Sequence, residues 1–293
     1  MSRNINILFL LLICASAGAQ HYNDFLQYMF NGFLINPAYA GSHEALDVSA
    51  NYRKQWMGFN GAPQTAAMAA HLPLKNKANN LGMLVVNDQF GVFTHQKFAL
   101  AYAYRFRIKN SFLSLGIQGG ADYLSSNWNK LNTIQENDPN FTGNQQRAII
   151  PVAGFGAYYY SKNAYFGISA PELYYGGYSS YHSILSNGGC LIKISDHFQF
   201  KPSFLIKYMQ GSPVAANLSG TFYWKEIIGV GLGYTYKTSA MAFLDLRLND
   251  QLRISYGYDY SVNGLSNYSS GSHELMLRYL FRYRIESANT RYF

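Results

Sequence analysis

The sequence predicts an all-β protein: a transmembrane, antiparallel, up-and-down β-barrel of about 14 strands, preceded by a short N-terminal helical or periplasmic segment. Three observations carry this. Aromatic residues make up 17% of the 293 residues, with 26 Tyr and 20 Phe, and charged residues only 13%, about half the roughly 25% of soluble domains. Large and small side chains alternate with period two from residue 45 almost to the end. The connections between the alternating stretches are in turn short and long, as in outer-membrane barrels with short periplasmic turns and longer external loops.

In chain order, Met1 to Ala19 reads as a secretory signal peptide. Arg3 supplies the positive start, Ile5 to Ile13 the apolar run, and Ala17-Gly18-Ala19 the small-residue cleavage site. The apolar run is too short for a membrane anchor. Cleavage after Ala19 makes Gln20 the first mature residue. No later stretch approaches the length of a membrane helix. Only helices and closed barrels satisfy all their backbone groups in lipid, so an exported membrane protein of this kind must be a barrel. Cys14 falls in the leader, and Ile13 before it is not the small residue a lipidation site needs. Cys190 is then the one thiol of the mature chain, which excludes an intrachain disulfide and a cysteine metal cluster.

Residues 20–44 form an N-terminal periplasmic or plug-like segment. Phe25, Leu26, Met29, Phe30, Phe33 and Leu34 recur at spacings of three and four, which predicts one or two helical turns, broken by Gly32 and stopped by Asn36-Pro37. The spacing suits a piece packed into the periplasmic mouth. The barrel occupies 45–283 and a tail 284–293. The expected strands are Ala45–Gln55, Ala62–Leu72, Leu81–Asn87, Lys97–Arg107, Ser111–Tyr123, Ile149–Tyr160, Ala164–Ala170, His182–Ile194, Phe198–Met209, Val214–Tyr223, Ile227–Tyr236, Ala240–Leu248, Leu252–Tyr260 and His273–Tyr283. Short turns are expected at Lys75–Asn80, Ile108–Asn110, Ser161–Asn163, Ser195–His197, Trp224–Glu226 and Asn249–Gln251. The longer loops are Trp56–Gly61, Asp88–Gln96, Leu124–Ala148, Pro171–Tyr181 and Ser261–Ser272.

The fourth strand shows the logic. Phe98, Leu100, Tyr102, Tyr104 and Phe106 fall on one face; Lys97, Ala99, Ala101, Ala103, Arg105 and Arg107 fall on the other. In a barrel the large face meets lipid and the small cationic face meets the lumen. An Asp at Tyr102 is then expected to cost roughly a few kcal/mol, and the same change at Ala101 far less. Gly116, Gly120, Gly229, Gly231 and Gly233 leave room inside. Arg105, Arg107, Lys201, Lys207, Arg253 and Arg278 can pair there with Asp47, Asp122, Asp245, Asp259 and Glu274. This could line a pore or fill a plugged interior.

No catalytic motif stands out. The net charge is +8, but there is no basic stripe or nucleic-acid-binding motif, so the excess cations are assigned to turns and lumen. The histidines, His21, His43, His71, His95, His182, His197 and His273, have no metal-ligand spacing. No cofactor and no metal is expected. Asp88, Asp122 and Asp138 near external loops keep a rim hydrolase as a third option. Gly-Ser-His-Glu occurs at Gly41–Glu44 and again at Gly271–Glu274; the topology places the copies at opposite ends, as rim residues. The long polar loop 124–148 holds Trp128, Asp138 and Phe141, candidates for partner contact. Trp56, Phe59, Trp128, Tyr174 and Tyr175 equally suit an aromatic girdle.

Several short motifs carry a resemblance. Gln27-Tyr28-Met29-Phe30-Asn31 with Asn36-Pro37-Ala38-Tyr39 and Gly41 resembles the N-terminal signature of the PorP/SprF family of Bacteroidota outer-membrane proteins. Gln55-Trp56, Gly58-Phe59 and Gly61 with Pro63 resemble its next block. Lys201-Pro202-Ser203, Tyr258-Asp259, and Gly271 with His273-Glu274 are similar to later ones. The resemblance implies a barrel tied to type IX secretion and, in gliding bacteria, to export or attachment of large adhesins. Implied partners are outer-membrane lipid, a secreted sorting-domain protein and periplasmic secretion-motor lipoproteins. The family supplies no catalytic residue. The main expectation is thus a secretion or anchoring barrel without enzymatic activity; the alternative is a small-solute channel or porin.

Overall fold

Strand pairing closes on itself. In the computed structural model, which describes residues 25–128, 147–174 and 182–281, the last strand pairs with the first. Among the described residues the strands are β1 (Leu46–Lys54), β2 (Gln64–Pro73), β3 (Asn79–Phe90), β4 (Phe93–Ile108), β5 (Ser111–Ser126), β6 (Arg147–Tyr160), β7 (Ala164–Tyr174), β8 (Ser183–Cys190), β9 (Ile192–Lys193), β10 (Phe198–Met209), β11 (Ala215–Trp224), β12 (Ile228–Thr235), β13 (Ser239–Arg247), β14 (Leu252–Ser261) and β15 (Ser272–Phe281). The short β8 and β9 both pair with β10, so they are two pieces of one stave and the barrel has 14 staves. Each stave is antiparallel to its neighbours, and β15 returns to β1 with Glu274 opposite Arg53. Among the described residues closure gives every stave a paired neighbour on both sides, which is what a strand protein needs in lipid.

The alternation has the sense expected of a membrane barrel. On β4, Leu100 is 55% exposed and Phe98 46%, while Ala99 is 1% and Ala103 0%. The large apolar side chains face out because lipid, not a core, solvates them. The small ones face in because the inside is crowded. That crowding overturns one expectation: Ala101 belongs to the buried internal cluster, so an Asp there enters packed interior and is not mild.

Several connections differ from the periodicity. The expected loop at Asp88–Gln96 is a tight turn of Gly91-Val92 between β3 and β4, with Gly91 at φ +56°, a conformation that glycine adopts at little cost. β5 and β7 also run further than predicted, through Ser126 and Tyr174. Their polar outer ends lack clean alternation but still pair with β4 and β6. At about 3.3 Å per residue, the sixteen-residue β4 and β5 reach about 53 Å, beyond a bilayer. The staves of β12 and β13, eight and nine residues long, do not. The barrel wall is therefore taller on the β3–β6 side. The proposed signal peptide, residues 20–24, the tail 284–293 and the loop residues Asp138, Phe141 and Tyr175 lie outside the described residues.

Candidate functional site

The inward face of the barrel is occupied by the chain's own N-terminal segment, residues 25–42, all of it buried. It is not the amphipathic helix that the three-and-four spacing suggests. It folds as turns around two short 3-10 helices, Gly32–Leu34 and Pro37–Tyr39. Gly32 starts the first helix instead of breaking one, because Tyr39 packs where its side chain would be: a Cβ there would lie 2.5 Å from that ring. Pro37 opens the second, where its missing N–H costs nothing, and the Asn36 side chain accepts from Ala38 N at 2.9 Å. The apolar residues point in several directions because wall surrounds them on all sides.

The segment descends from the long-loop end to the short-turn end. At the top, Glu274 accepts from Leu26 N at 2.7 Å and Gln27 N at 3.2 Å. Its charge is held by Arg53, 3.5 Å away, which also reaches Asp259 at 3.3 Å. Tyr28 donates to Asn217 at 2.9 Å. In the middle, Lys201 donates to Met29 O and Arg278 to Phe30 O, both at 2.8 Å, while Asn31 donates to Ser49 at 2.7 Å. Phe30 meets Phe243 edge-on at 5.6 Å. Lower down, Ser169 donates to Ile35 O at 2.6 Å and Asn36 to Ala157 O at 3.0 Å. Wall glycines give way to the segment: a Cβ on Gly82 would lie 2.3 Å from the Phe33 ring, and one on Gly116 2.4 Å from Ala38 N. Gly229, Gly231 and Gly233 leave no void, since Tyr223, Phe243 and Met241 fill the space beside them.

At the bottom, His43 and Asp47, four residues apart, meet His71, which comes from β2. Asp47 Oδ2 lies 2.5 Å from His43 Nδ1 and 3.6 Å from His71 Nε2, and the two imidazoles stack at 5.9 Å. The signal that could have found them is register: β1–β2 pairing sets Asp47 opposite His71, both inward. Two imidazoles and a carboxylate within 4.8 Å suit a transition metal by donor type. The hydrogen bonds argue for a different role. His43 Nδ1–H donates to Asp47, which leaves Nε2 to accept from the Tyr39 hydroxyl at 3.3 Å. Gly41 N–H donates to His71 Nδ1 at 3.2 Å, which puts the His71 proton on the nitrogen facing Asp47. Both rings are engaged, burial favours their neutral form, and the Arg278 charge acts on the group as well. Burial, followed by Arg278, pulls the His43 pKa down to about 4 against the opposing pull of Asp47. Burial pushes the Tyr28 and Tyr39 hydroxyls up. The cluster fastens the segment to the wall.

The motif residues divide between this contact and the outer end. Tyr28, Met29, Phe30, Asn31, Asn36, Pro37, Ala38, Tyr39, Lys201, Asp259 and Glu274 lie in the buried contact or directly behind it. Ser203 lies beneath it, near Tyr165 Oη at 3.4 Å; its neighbour Pro202 pairs opposite Gly220. Gly41 turns the segment into β1 at φ +73°. Outside, Gln55 N bonds Pro63 O at 2.9 Å and Trp56 N bonds Ser272 Oγ at 3.2 Å. Gly61 O accepts from Gly91 N at 2.8 Å. Gly58 and Gly271 take positive φ, and Phe59 is exposed. Tyr258 donates to Ser270 O at 2.7 Å. His273 faces outward against Tyr256, 2.5 Å from its hydroxyl. Trp128 packs edge-on against Phe93 at 5.7 Å. Glu274 is not a rim residue: it is fully buried. Two of the aspartates considered for a hydrolase are also internal, Asp88, which accepts from Thr65 at 2.5 Å, and Asp122, which is buried; the third, Asp138, lies outside the described residues.

A family model described as type IX secretion system membrane protein PorP/SprF matches residues 17–279. No curated protein matches the chain. Among solved structures, the CymD monoaromatic hydrocarbon channel is similar at 12% identity, with 89% of this chain and 94% of that one covered and a TM-score of 0.52. The Ralstonia pickettii toluene transporter TbuX is similar at 7% identity, covering 87% and 93%, with a TM-score of 0.51. At these identities the likeness establishes the fold, an outer-membrane β-barrel.

Proposed function

Because the chain belongs to the PorP/SprF family of type IX secretion system membrane proteins, we propose that it receives and anchors a secreted, adhesin-like protein bearing a sorting domain. It is an outer-membrane β-barrel component of that secretion system, and family and fold point to a secretion component or channel rather than an enzyme. The observation that carries the anchoring reading is the occupied lumen. Residues 25–42 are buried inside and tied to the wall at both ends, by Glu274 above and by the His43–Asp47–His71 cluster below. A barrel so filled works by binding at its mouths. The client engages the outer loops, where the 124–148 loop with Trp128, Asp138 and Phe141 is the candidate surface. Periplasmic secretion-motor lipoproteins engage the inner rim. The leader is removed after Ala19, and in a gliding cell the anchored client is the adhesin.

Affinity purification of the tagged chain from native outer membranes tests this. A sorting-domain protein should co-purify, and purified barrels in planar bilayers should stay electrically silent. Steady conductance by the wild-type barrel, without any co-purifying client, would instead establish the small-solute channel.

A further inference from the structure

At the short-turn end, the β2–β3, β4–β5 and β6–β7 turns surround a cavity of about 750 Å³, within the range of ligand-binding clefts. Its lining includes Lys77, Arg105, Arg107, Lys109 and Lys162, and a single carboxylate, Glu44. That carboxylate is already engaged: Arg105 lies 3.4 Å from one oxygen and Lys77 3.5 Å from the other. Arg105 is further held by the Tyr160 hydroxyl at 3.2 Å and by the Phe112 ring, 4.7 Å below its guanidinium. Arg107 donates through Nε to Lys109 O at 3.3 Å, which holds its guanidinium at the rim. Arg107, Lys109 and Lys162 are exposed, and among the described residues none of the three has a carboxylate partner.

The shape of the wall explains the cleft. β3 begins opposite Tyr104, so the β4–β5 hairpin projects past it and carries Arg107 and Lys109 with it. Arg105 and Arg107 share the inward parity of β4, and Phe112 shares that of Ser114 on β5. The cavity therefore opens inside the rim, away from the bilayer, where lipid headgroups do not reach. The chain's own residues 282–293 include three arginines and one glutamate, so their side chains do not supply an acidic segment. Like charges gathered round a concave surface focus the field and attract an oppositely charged partner. Arginine and lysine near an aromatic floor suit carboxylates on a peptide.

We infer that this cleft docks an acidic polypeptide segment from the periplasmic side, with Asp or Glu side chains paired to Arg107, Lys109 and Lys162. The inference rests on the reading of the short-turn end as the inner rim that meets the secretion machinery, and it names the chemistry of that partner.

The test is fluorescence anisotropy of a labelled octaglutamate peptide with the full chain in detergent micelles. Binding is expected to weaken as salt rises, and to fall at least tenfold in the triple variant Arg107→Glu, Lys109→Glu, Lys162→Glu. Reversal at the opposite end, Lys237→Glu, should leave it unchanged. Heat-modifiable gel mobility checks that each variant is folded, and all four positions are exposed turn or strand-end sites. Inorganic phosphate at the ionic strength of the buffer should not displace the peptide. Equal affinity of the wild type and the triple variant, displacement by phosphate, or no binding by the wild type would each overturn the proposal. Client capture is measured separately at the outer mouth. A barrel that binds the peptide but retains no client refutes the anchoring reading and leaves the cleft standing; the converse result does the opposite.

Discussion

The two copies of Gly-Ser-His-Glu end up facing opposite ways. In both, the glycine takes a positive φ, +73° at Gly41 and +103° at Gly271, and in both the serine is buried. Then they part. In the first copy the histidine is the internal group, bound to Asp47, and Glu44 lies at the partly open inner rim. In the second the glutamate is internal, holding Leu26 and Gln27, and His273 turns outward. The cause is register. β15 starts at Ser272, so strand parity sends Ser272 and Glu274 inward. The first copy is still a turn, with Glu44 at φ +56°, and β1 starts only at Leu46. The same four residues thus secure the two ends of the internal segment with different atoms.

The largest effect should come from Glu274→Ala, which strands two backbone amides and half of the Arg53 pairing. Removing one member of a buried ionic network costs about 3–5 kcal/mol, to be read from urea unfolding of the folded barrel. The loosened segment should also give flickering conductance in bilayers. A Glu274→Ala barrel as stable and silent as the wild type would mean that the outer end is not a fastening point.

Next comes the comparison of faces within β4. Tyr102→Asp puts a charge into lipid, at a cost below the roughly 2–4 kcal/mol of an Arg or Lys near the bilayer midplane. Ala101→Leu overpacks the filled interior, at about 1–3 kcal/mol, while Tyr102→Leu on the outer face should be nearly neutral. Harmless enlargement at Ala101 would indicate that the lumen is looser than its burial implies.

The inner fastening should be acid-sensitive. His43 has its pKa lowered to about 4 in the fold, against about 6.5 when unfolded. Between those values the unfolded chain binds the extra proton. Stability is therefore full above pH 6.5 and falls as pH drops toward 4, by at most about 1.4 kcal/mol per pH unit. His43→Asn, which retains a donor toward Asp47, should flatten that part of the pH profile; an unchanged slope would assign the acid sensitivity elsewhere. Smallest of all should be Glu44→Gln and His273→Ala. Each removes a partly exposed contact, and each should shift urea unfolding by less than about 1 kcal/mol. A larger loss at either would erase the contrast between the two copies.

Much of the barrel was legible in the residues because strand periodicity is a local property. The alternation in β4, β12 and β14 assigned inside and outside directly, and short polar turns marked the inner rim. Legibility stopped where alternation did. Asp88–Gln96 read as a loop because its polar residues hide the β3–β4 turn at Gly91, and the spacing of Phe25 to Leu34 read as a helix because apolar residues surrounded by wall mimic an amphipathic face. The motifs containing Tyr28, Lys201, Asp259 and Glu274 were visible as strings, but their shared role in holding the internal segment was not.

The sequence by itself determined the membrane barrel, its two faces and the family, since each depends on side-chain type at neighbouring positions. Only the tertiary structure decided that the lumen is filled from within and that His43, Asp47 and His71 meet. It also decided that five cations converge on one inner cleft. Each of those arrangements joins at least one pair of residues tens to hundreds of positions apart. They depend on barrel closure and strand register, which put a given side chain inside or outside whatever its immediate neighbours are.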